Sequence, residues 1–184
     1  MTVKRWFWWA VAVQVAVLLL MIASHGYTLA TGGAVTLKTV PTDPWSPWSG
    51  RYVALSYDIS HLVQGDLPME DGPFRWHQTV WVTLEKGDPY WKAVAVSSRR
   101  RTVNPDQVAL RATVTGAWQS YGESGPQDSW EYNLHYGIEQ FYIPEGEATL
   151  ERRGLEFTVE AVVDSFGRAA VRRVFLDGKE IRWR

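Results

Sequence analysis

The chain has 184 residues, a formal net charge of −1 and no cysteine. The lack of cysteine excludes disulfide bonds, thiol catalysis and thiolate metal sites within this sequence. Two of the 19 basic residues, Lys4 and Arg5, precede the first apolar run, which leaves 17 against 20 acidic residues. This balance gives no indication of nucleic-acid binding. Eleven Trp, eight Tyr and six Phe indicate a core rich in aromatic side chains.

The first element along the chain is an apolar run at residues 6–22, in which only Gln14 is clearly polar. A helix from residue 6 to residue 24 is about 28 Å long, close to the roughly 30 Å of a bilayer's hydrocarbon core. Three tryptophans and the basic pair Lys4 and Arg5 lie at its amino end, as is typical of a cytoplasmic membrane boundary. Residues 6–24 are therefore predicted to cross the lipid bilayer.

A cleavable secretory signal is the alternative for this segment. Lys4 and Arg5 would form its basic region, and Thr28, Leu29 and Ala30 could pass as a small-residue cleavage site. The apolar run exceeds the roughly 7 to 15 residues of a signal peptide, which favours an uncleaved anchor. We expect a single-pass protein of the inner (plasma) membrane, with residues 1–30 as cytoplasmic N-terminus and anchor and residues 31–184 as a periplasmic or otherwise extracytoplasmic domain.

Alternation of apolar and polar residues predicts that the domain after the anchor is mostly β. A small-residue stretch at residues 30–33 is expected to be a short flexible hinge. Strands are predicted at residues 35–40, 53–57, 78–86, 90–97, 108–118, 134–143, 155–161 and 169–176, with a tight hairpin at Asp177 and Gly178 after the last of them. Residues 61–75 and 121–130 are predicted to be loops. The expected fold is an antiparallel β sandwich or barrel-like domain of roughly eight strands.

Two segments carry a resemblance to a known family. Three prolines at residues 41–50 precede a strand with tyrosines two and seven residues after Gly50, and a second segment at residues 136–146 ends in Pro-Glu-Gly. With the N-terminal apolar helix, this pattern is similar to the GDYxxLxY family of bacterial membrane-anchored proteins. The matching residues of the first segment are Pro41, Asp43, Pro44, Gly50, Tyr52, Leu55 and Tyr57, while Arg51 replaces the family's Asp.

The resemblance implies an anchored domain without an established activity, and a multi-pass membrane protein as its partner. It also supplies the candidate binding residues of this chain, which could equally determine the fold. They are Asp43, Gly50, Tyr52, Leu55, Tyr57, Tyr136, Glu139, Pro144, Glu145 and Gly146.

No pattern in the sequence indicates a catalytic or metal site. Histidines 25, 61, 77 and 135 lack the spacing of a metal motif. The densest carboxylate group is at residues 139–151, where two glutamates could act as acid and base or bind a hard cation, although an exposed turn explains them as well. We therefore expect no catalytic residue, no cofactor and no metal.

The sequence leaves two alternative functions open. A membrane anchor followed by a proline-rich loop resembles signal peptidases, in which case Thr42, Ser46 or Ser49 would be the nucleophile and Lys86 or Lys92 the base. The Ser-Met pair of that family is missing here. Alternatively, exposed aromatic residues could bind a glycan or a peptide. The tryptophans considered for this are Trp45, Trp48, Trp76, Trp91, Trp118 and Trp130.

The function expected from these observations is that of an extracytoplasmic accessory or interaction domain of a bacterial membrane complex. It follows from one anchor, a rigid β domain and the absence of a catalytic pattern. Residues 53–57 and 136–146 are the expected functional face.

Overall fold

The structure is a computed structural model, and it describes residues 2–40, 52–122, 125–142 and 157–181. The predicted proline-rich loop at residues 41–50 lies outside these ranges, as do most of the glutamates at residues 139–151.

Helix α1 (Thr2–Thr31) is the one α-helix in these ranges. Its stretch Arg5–Thr31 has 27 residues and a mean hydropathy of 2.1, long and apolar enough to cross a membrane. Large apolar side chains are exposed along it, including Trp8, Leu20 and Ile22. At 1.5 Å per residue the helix is about 45 Å long, so it extends beyond a hydrocarbon core of about 30 Å.

The predicted flexible hinge after the helix is wrong. The helix continues to Thr31 and the first strand begins at Gly33, so only Gly32 lies between them. The Gly32 amide donates to the Thr28 carbonyl at 2.9 Å, which is a helical hydrogen bond. A Cβ at Gly32 would lie 2.7 Å from that carbonyl oxygen and 2.9 Å from the Val162 Cβ. A glycine is therefore needed here because the chain packs tightly.

Thirteen strands form the rest of the described chain, six of them only two or three residues long. They are β1 (Gly33–Val40), β2 (Tyr52–Ala54), β3 (Ser56–Tyr57), β4 (His61–Val63), β5 (Met69–Glu70), β6 (Thr79–Glu85), β7 (Lys92–Ser97), β8 (Gln107–Gly122), β9 (Gly125–His135), β10 (Gln140–Tyr142), β11 (Phe157–Val163), β12 (Ala169–Leu176) and β13 (Lys179–Glu180). A 3₁₀ turn, Asp58–Ser60, lies between β3 and β4. The prediction of a mostly β, largely antiparallel domain is confirmed.

The strands form two larger sheets and one small pair. The first sheet has the order β13-β12-β11-β1-β3, the second has the order β4-β9-β8-β6-β7-β5, and β10 pairs with β2. The segment from β3 through the 3₁₀ turn to β4 passes from one sheet to the other. Backbone hydrogen bonds from Trp91 to Thr36 (2.9 Å) and from Arg111 to Gly167 (2.8 Å) also join them. One hydrophobic core lies between the sheets.

Several predicted strands are confirmed together with the face that they bury. In β1 Val35, Leu37 and Thr39 are buried, and in β6 Val80, Val82 and Leu84 are buried. The register of β8 against β9 shifts between Val114 and Gly116, so the strand has a β-bulge there. Asp177 and Gly178 have φ angles of 47° and 78°, as a two-residue type I′ hairpin requires.

Two predicted loops are wrong. Residues 61–75 contain β4, which pairs with β9, and β5, which pairs with β7. Residues 125–130 belong to β9 and continue its pairing with β8 as far as Gly122 opposite Gly125. The strand predicted at residues 134–143 is instead divided into the end of β9, a turn, and β10.

Candidate functional site

The two segments that carry the family resemblance lie side by side. Strand β2 pairs antiparallel with β10, which places Tyr52 opposite Tyr142 and Ala54 opposite Gln140. The Leu55 amide continues the contact by donating to the Glu139 carbonyl at 2.7 Å. Residues more than 80 positions apart in the sequence therefore form one local structure.

Two tyrosines connect these segments reciprocally, and we call them the tyrosine clamp. The Tyr57 hydroxyl donates to the Ile138 carbonyl at 2.6 Å, and the Tyr136 hydroxyl donates to the Ile59 carbonyl at 2.5 Å. Both side chains are buried, with relative exposures of 1% and 7%. Each ring fills the core while its hydroxyl satisfies a buried carbonyl, which accounts for a tyrosine rather than a phenylalanine at both positions.

Glu139 holds the turn between β9 and β10. Its carboxylate accepts hydrogen bonds from the backbone amides of Tyr136 and Gly137, the latter at 2.8 Å, and lies 3.0 Å from the His135 Nε2. Gly137 has a φ of 84°, which glycine adopts without strain. This carboxylate therefore has an evident structural role in the turn.

Burial changes the acidity of the clamp. It raises the pKa of both the Tyr57 and the Tyr136 phenol above the usual value, and the nearby Glu139 carboxylate adds to the effect. A neutral phenol is the form that donates to a carbonyl, so the environment and the hydrogen bonds favour the same state.

The structure brings together four of the predicted site residues: Leu55, Tyr57 and Tyr136 are buried, and Glu139 is half-buried beside them. Tyr52 lies in β2. The other predicted residues, Asp43, Gly50, Pro144, Glu145 and Gly146, lie outside the described ranges. Among the residues that the structure describes, no group of three or more His, Asp or Glu could hold a metal ion.

A groove of about 660 Å³ opens beside the turn at Gly137 and Ile138, and we call it the signature groove. Its lining includes His25 from α1, Gly137 and Ile138 from the turn, and Arg172 and Arg173 from β12. Arg173 lies 3.1 Å and Arg172 3.8 Å from the same Glu160 oxygen. The groove thus lies between α1, at His25, and the segment at residues 136–146 that carries part of the family resemblance.

Sequence reasoning did not find the helix and β12 side of the groove. In the sequence His25 is an isolated histidine. Arg172 and Arg173 lie on a strand whose pairing with β11 the sequence does not specify. Both arginines are exposed although they are consecutive, because the register of β12 against β11 shifts between the pairs Glu160–Arg173 and Ala161–Val171. Strict alternation would have placed them on opposite faces of the strand.

A second exposed surface carries aromatic side chains on the outer face of β8 and β9. The Trp118 indole donates to Glu131 at 3.0 Å and stacks on His61 with ring centroids 5.8 Å apart. Its ring covers Gly116, where a Cβ would lie 2.9 Å from it. Trp76 is 68% exposed, and its indole donates to the Thr115 carbonyl at 2.9 Å. We call this the indole surface.

The other tryptophans considered for ligand binding are placed differently. Trp91 and Trp130 are partly buried against the core, so they serve packing. Trp45 and Trp48 lie outside the described ranges.

The order of these features in the chain matches one known family. A sequence profile described as GDYXXLXY protein aligns with residues 14–174, from the middle of α1 to β12. This chain belongs to the GDYXXLXY protein family. Comparison with curated proteins and comparison with solved structures each gave no match. The matched range shows that the GDYXXLXY unit includes the second half of the helix, its junction with β1, and both signature segments.

Removing one hydroxyl of the clamp is expected to destabilise the GDYXXLXY domain. Tyr57→Phe and Tyr136→Phe each leave a buried carbonyl without its donor, which costs about 1–3 kcal/mol. Chemical denaturation of the full chain in detergent measures the change. Tyr27→Phe is the matched control, because the Tyr27 ring is 44% exposed and the same oxygen is removed there. An equal effect of all three substitutions would contradict a role of the buried hydroxyls.

The clamp also predicts how stability depends on alkaline pH. The folded state raises both phenol pKa values above the ordinary value of 10.0, so their contribution is complete below pH 10 and is lost as the pH rises above it. We expect the free energy of unfolding to fall above pH 10, and to fall less steeply in the double variant Tyr57→Phe/Tyr136→Phe. Identical pH profiles for both proteins would contradict this.

Proposed function

We propose that this GDYXXLXY protein is a non-catalytic interaction subunit of a bacterial membrane complex. In this proposal α1 crosses the inner (plasma) membrane with its N-terminus in the cytoplasm, and the β domain lies at the opposite, periplasmic or extracytoplasmic, surface. The domain presents a binding surface to a multi-pass membrane protein, at a fixed height above the membrane and in a fixed orientation.

The continuity of α1 with β1 is the observation that carries the proposal. Only Gly32 separates helix and strand, and the buried Thr28 hydroxyl donates to Asp164 at 2.7 Å. Tyr27 also contacts the Phe166 ring, with centroids 6.3 Å apart. A flexible tether would only keep the domain near the membrane, whereas this junction fixes which face of the domain turns toward the lipid.

The orientation is supported by charge. Lys4 and Arg5 precede the apolar stretch, and the next basic side chain of the Lys or Arg type is Lys38 in β1. Basic residues on one flank favour the cytoplasm for that flank. Three tryptophans near that end suit the water–lipid boundary.

Labelling of single cysteines tests this orientation, since the chain has no native cysteine. Lys179→Cys lies at the exposed β12–β13 hairpin, and Thr2→Cys lies at the start of α1. A membrane-impermeant maleimide applied to intact spheroplasts is expected to label Lys179→Cys alone, and both variants after permeabilisation. The reverse pattern, or release of the protein by carbonate, would overturn the proposed location.

The oligomeric state in mild detergent tests the proposed role as a subunit. Light scattering of the protein extracted from its native membrane is expected to give a mass greater than that of the 21.0 kDa chain after subtraction of detergent. A pure single chain under these conditions would contradict the proposal.

The indole surface favours a second candidate function, binding of a glycan or a peptide. Trp76 and Trp118 are both exposed, and hydrogen bonds fix both indoles. Flat, immobilised rings of this kind can stack against apolar faces of sugars or peptides. Titration with a panel of soluble oligosaccharides and unstructured peptides, followed by Trp fluorescence, tests it. Saturable quenching that Trp118→Ala removes would support binding, and no change with any probe would exclude those ligands.

A further inference from the structure

One polar side chain, Gln14, lies within the apolar run of α1 at residues 6–22. Gln14 is exposed on α1, eight residues after Trp6 and ten before Ser24, or about 12 and 15 Å along the axis. In the proposed membrane position this amide lies near the middle of the hydrocarbon. None of the residues that the structure describes makes a hydrogen bond with it.

An amide in hydrocarbon is unfavourable unless another polar group pairs with it. The Gln14 side chain offers both a donor and an acceptor, and lipid tails offer neither. In membranes such residues commonly form hydrogen bonds between helices. The position of Gln14 therefore calls for a neighbouring transmembrane helix.

The direction of Gln14 relates it to the β domain. At about 100° per residue, Gln14 lies within about 20° of His25 and about 40° of Thr28 around the helix axis. Thr28 is the buried contact with the β domain, and His25 lines the signature groove. The amide thus faces the side over which the domain lies, and the groove begins about 16 Å farther along the same face.

This geometry distinguishes between two occupants. A second copy of the chain, inserted in the same direction, would bring its own β domain to the same height on the same side, where the first domain already lies. A helix that ends or turns at the membrane surface meets no such obstacle. Multi-pass proteins with short connections between helices offer helices of that kind.

We propose that the face of α1 formed by Ala10, Gln14 and Val17, together with the signature groove above it, binds one transmembrane helix of a multi-pass partner. This rests on the proposed function and specifies its binding site. The partner helix places a polar side chain opposite Gln14. Its extracytoplasmic end enters the groove between His25 and the turn at Gly137 and Ile138.

Site-specific photo-cross-linking in living cells tests this surface. A photoreactive phenylalanine analogue is introduced at Ala10, about 40° from Gln14 around the helix axis, and separately at Ala16, about 160° from Gln14. We expect Ala10 to give an adduct with a multi-pass membrane protein, identified by mass spectrometry, and Ala16 to give none. Gln14→Leu is expected to lower the yield of this adduct about 3- to 30-fold, while Gln14→Asn retains most of it.

The other outcomes each overturn the inference. An adduct of twice the chain mass would assign the face to a second copy. Equal yields at Ala10 and Ala16, no adduct at either position, or an undiminished yield with Gln14→Leu would show that this face does not select a partner. Gln14→Leu makes α1 more apolar, so this variant is still expected to insert into the membrane. A lower adduct yield then reports on partner binding. The cysteine-labelling experiment reads the location of the domain independently, so this inference can fail while the proposed location holds.

Discussion

Replacing Gly167 by alanine is expected to destabilise the β domain by about 2–5 kcal/mol, the sum of backbone strain and overpacking. Gly167 has a φ of 74°, in the left-handed region that costs other residues energy. A Cβ there would lie 2.3 Å from the Trp81 ring and 2.8 Å from the Ala109 carbonyl oxygen. The Gly167 carbonyl also accepts the hydrogen bond from Arg111 that joins the two sheets, so a displacement of this turn separates them.

Gly178→Ala separates strain from collision. Gly178 has a nearly equal φ of 78°, yet nothing lies within 4 Å of a Cβ placed there. We expect this control to cost only about 1–2 kcal/mol, measured by denaturant unfolding of both variants under one condition. If the two variants lost the same stability, close packing at Gly167 would have no role.

Replacing Asp164 by asparagine is expected to destabilise the helix–domain junction by about 3 kcal/mol. The Asp164 side chain is fully buried. It accepts hydrogen bonds from the Thr28 hydroxyl (2.7 Å), the Phe166 amide (2.8 Å), and the amide and guanidinium of Arg168 (both 2.9 Å). An asparagine would turn its NH₂ group toward one of these donors and would lose the charge that pairs with Arg168.

Two measurements check this expectation. Denaturant unfolding gives the stability, and a spin-label distance between a cysteine in α1 and one in β12 reports whether the helix keeps a single orientation. We expect a broadened distance distribution in Asp164→Asn. Glu160→Gln is the control, since its partners Arg172 and Arg173 are exposed and such pairs contribute at most about 1 kcal/mol. A narrow distribution in both variants would show that Asp164 does not fix the helix.

The same residue gives an expectation for acid. Burial alone would raise the pKa of Asp164, but the hydrogen bonds from Thr28, Phe166 and Arg168 outweigh it and lower the pKa below the usual 3.8. The contribution of Asp164 is therefore present above pH 3.8 and is lost as the pH falls through the lowered pKa. Asp164→Asn removes this part of the acid sensitivity.

The sequence predicts strands well where one face is buried and the other is not. In β1 and β6 the apolar positions alternate without interruption, so the period alone identifies both the strand and its inner face. The hairpin at Asp177 and Gly178 can be predicted equally well, because the residues of a two-residue turn themselves determine its type.

The errors share one physical cause, which is pairing with distant residues. Residues 61–75 contain Gly65, Pro68, Gly72 and Pro73, and their local signal is that of a loop. Nevertheless, β4 and β5 form there because β9 and β7 offer free edges. Likewise the hinge predicted at residues 30–33 is rigid because Asp164, 136 positions after Thr28, binds the end of the helix. No local pattern contains that information.

The candidate site shows the same difference between what a local pattern predicts and what depends on distant pairing. The motif residues Tyr57 and Tyr136 could be named from the sequence, but their mutual arrangement could not, because it depends on the pairing of β2 with β10. Their burial shows that these two motif residues help to build the fold.

The position of β1 in its sheet governs when the domain can form during synthesis. This strand follows the helix directly, yet its partner along Gly33 to Lys38 is β11, more than 110 residues later. A ribosome must therefore complete most of the chain before the first strand finds its neighbour. Until then β1 lacks its neighbour along Gly33 to Lys38, so we expect this sheet to form late in synthesis.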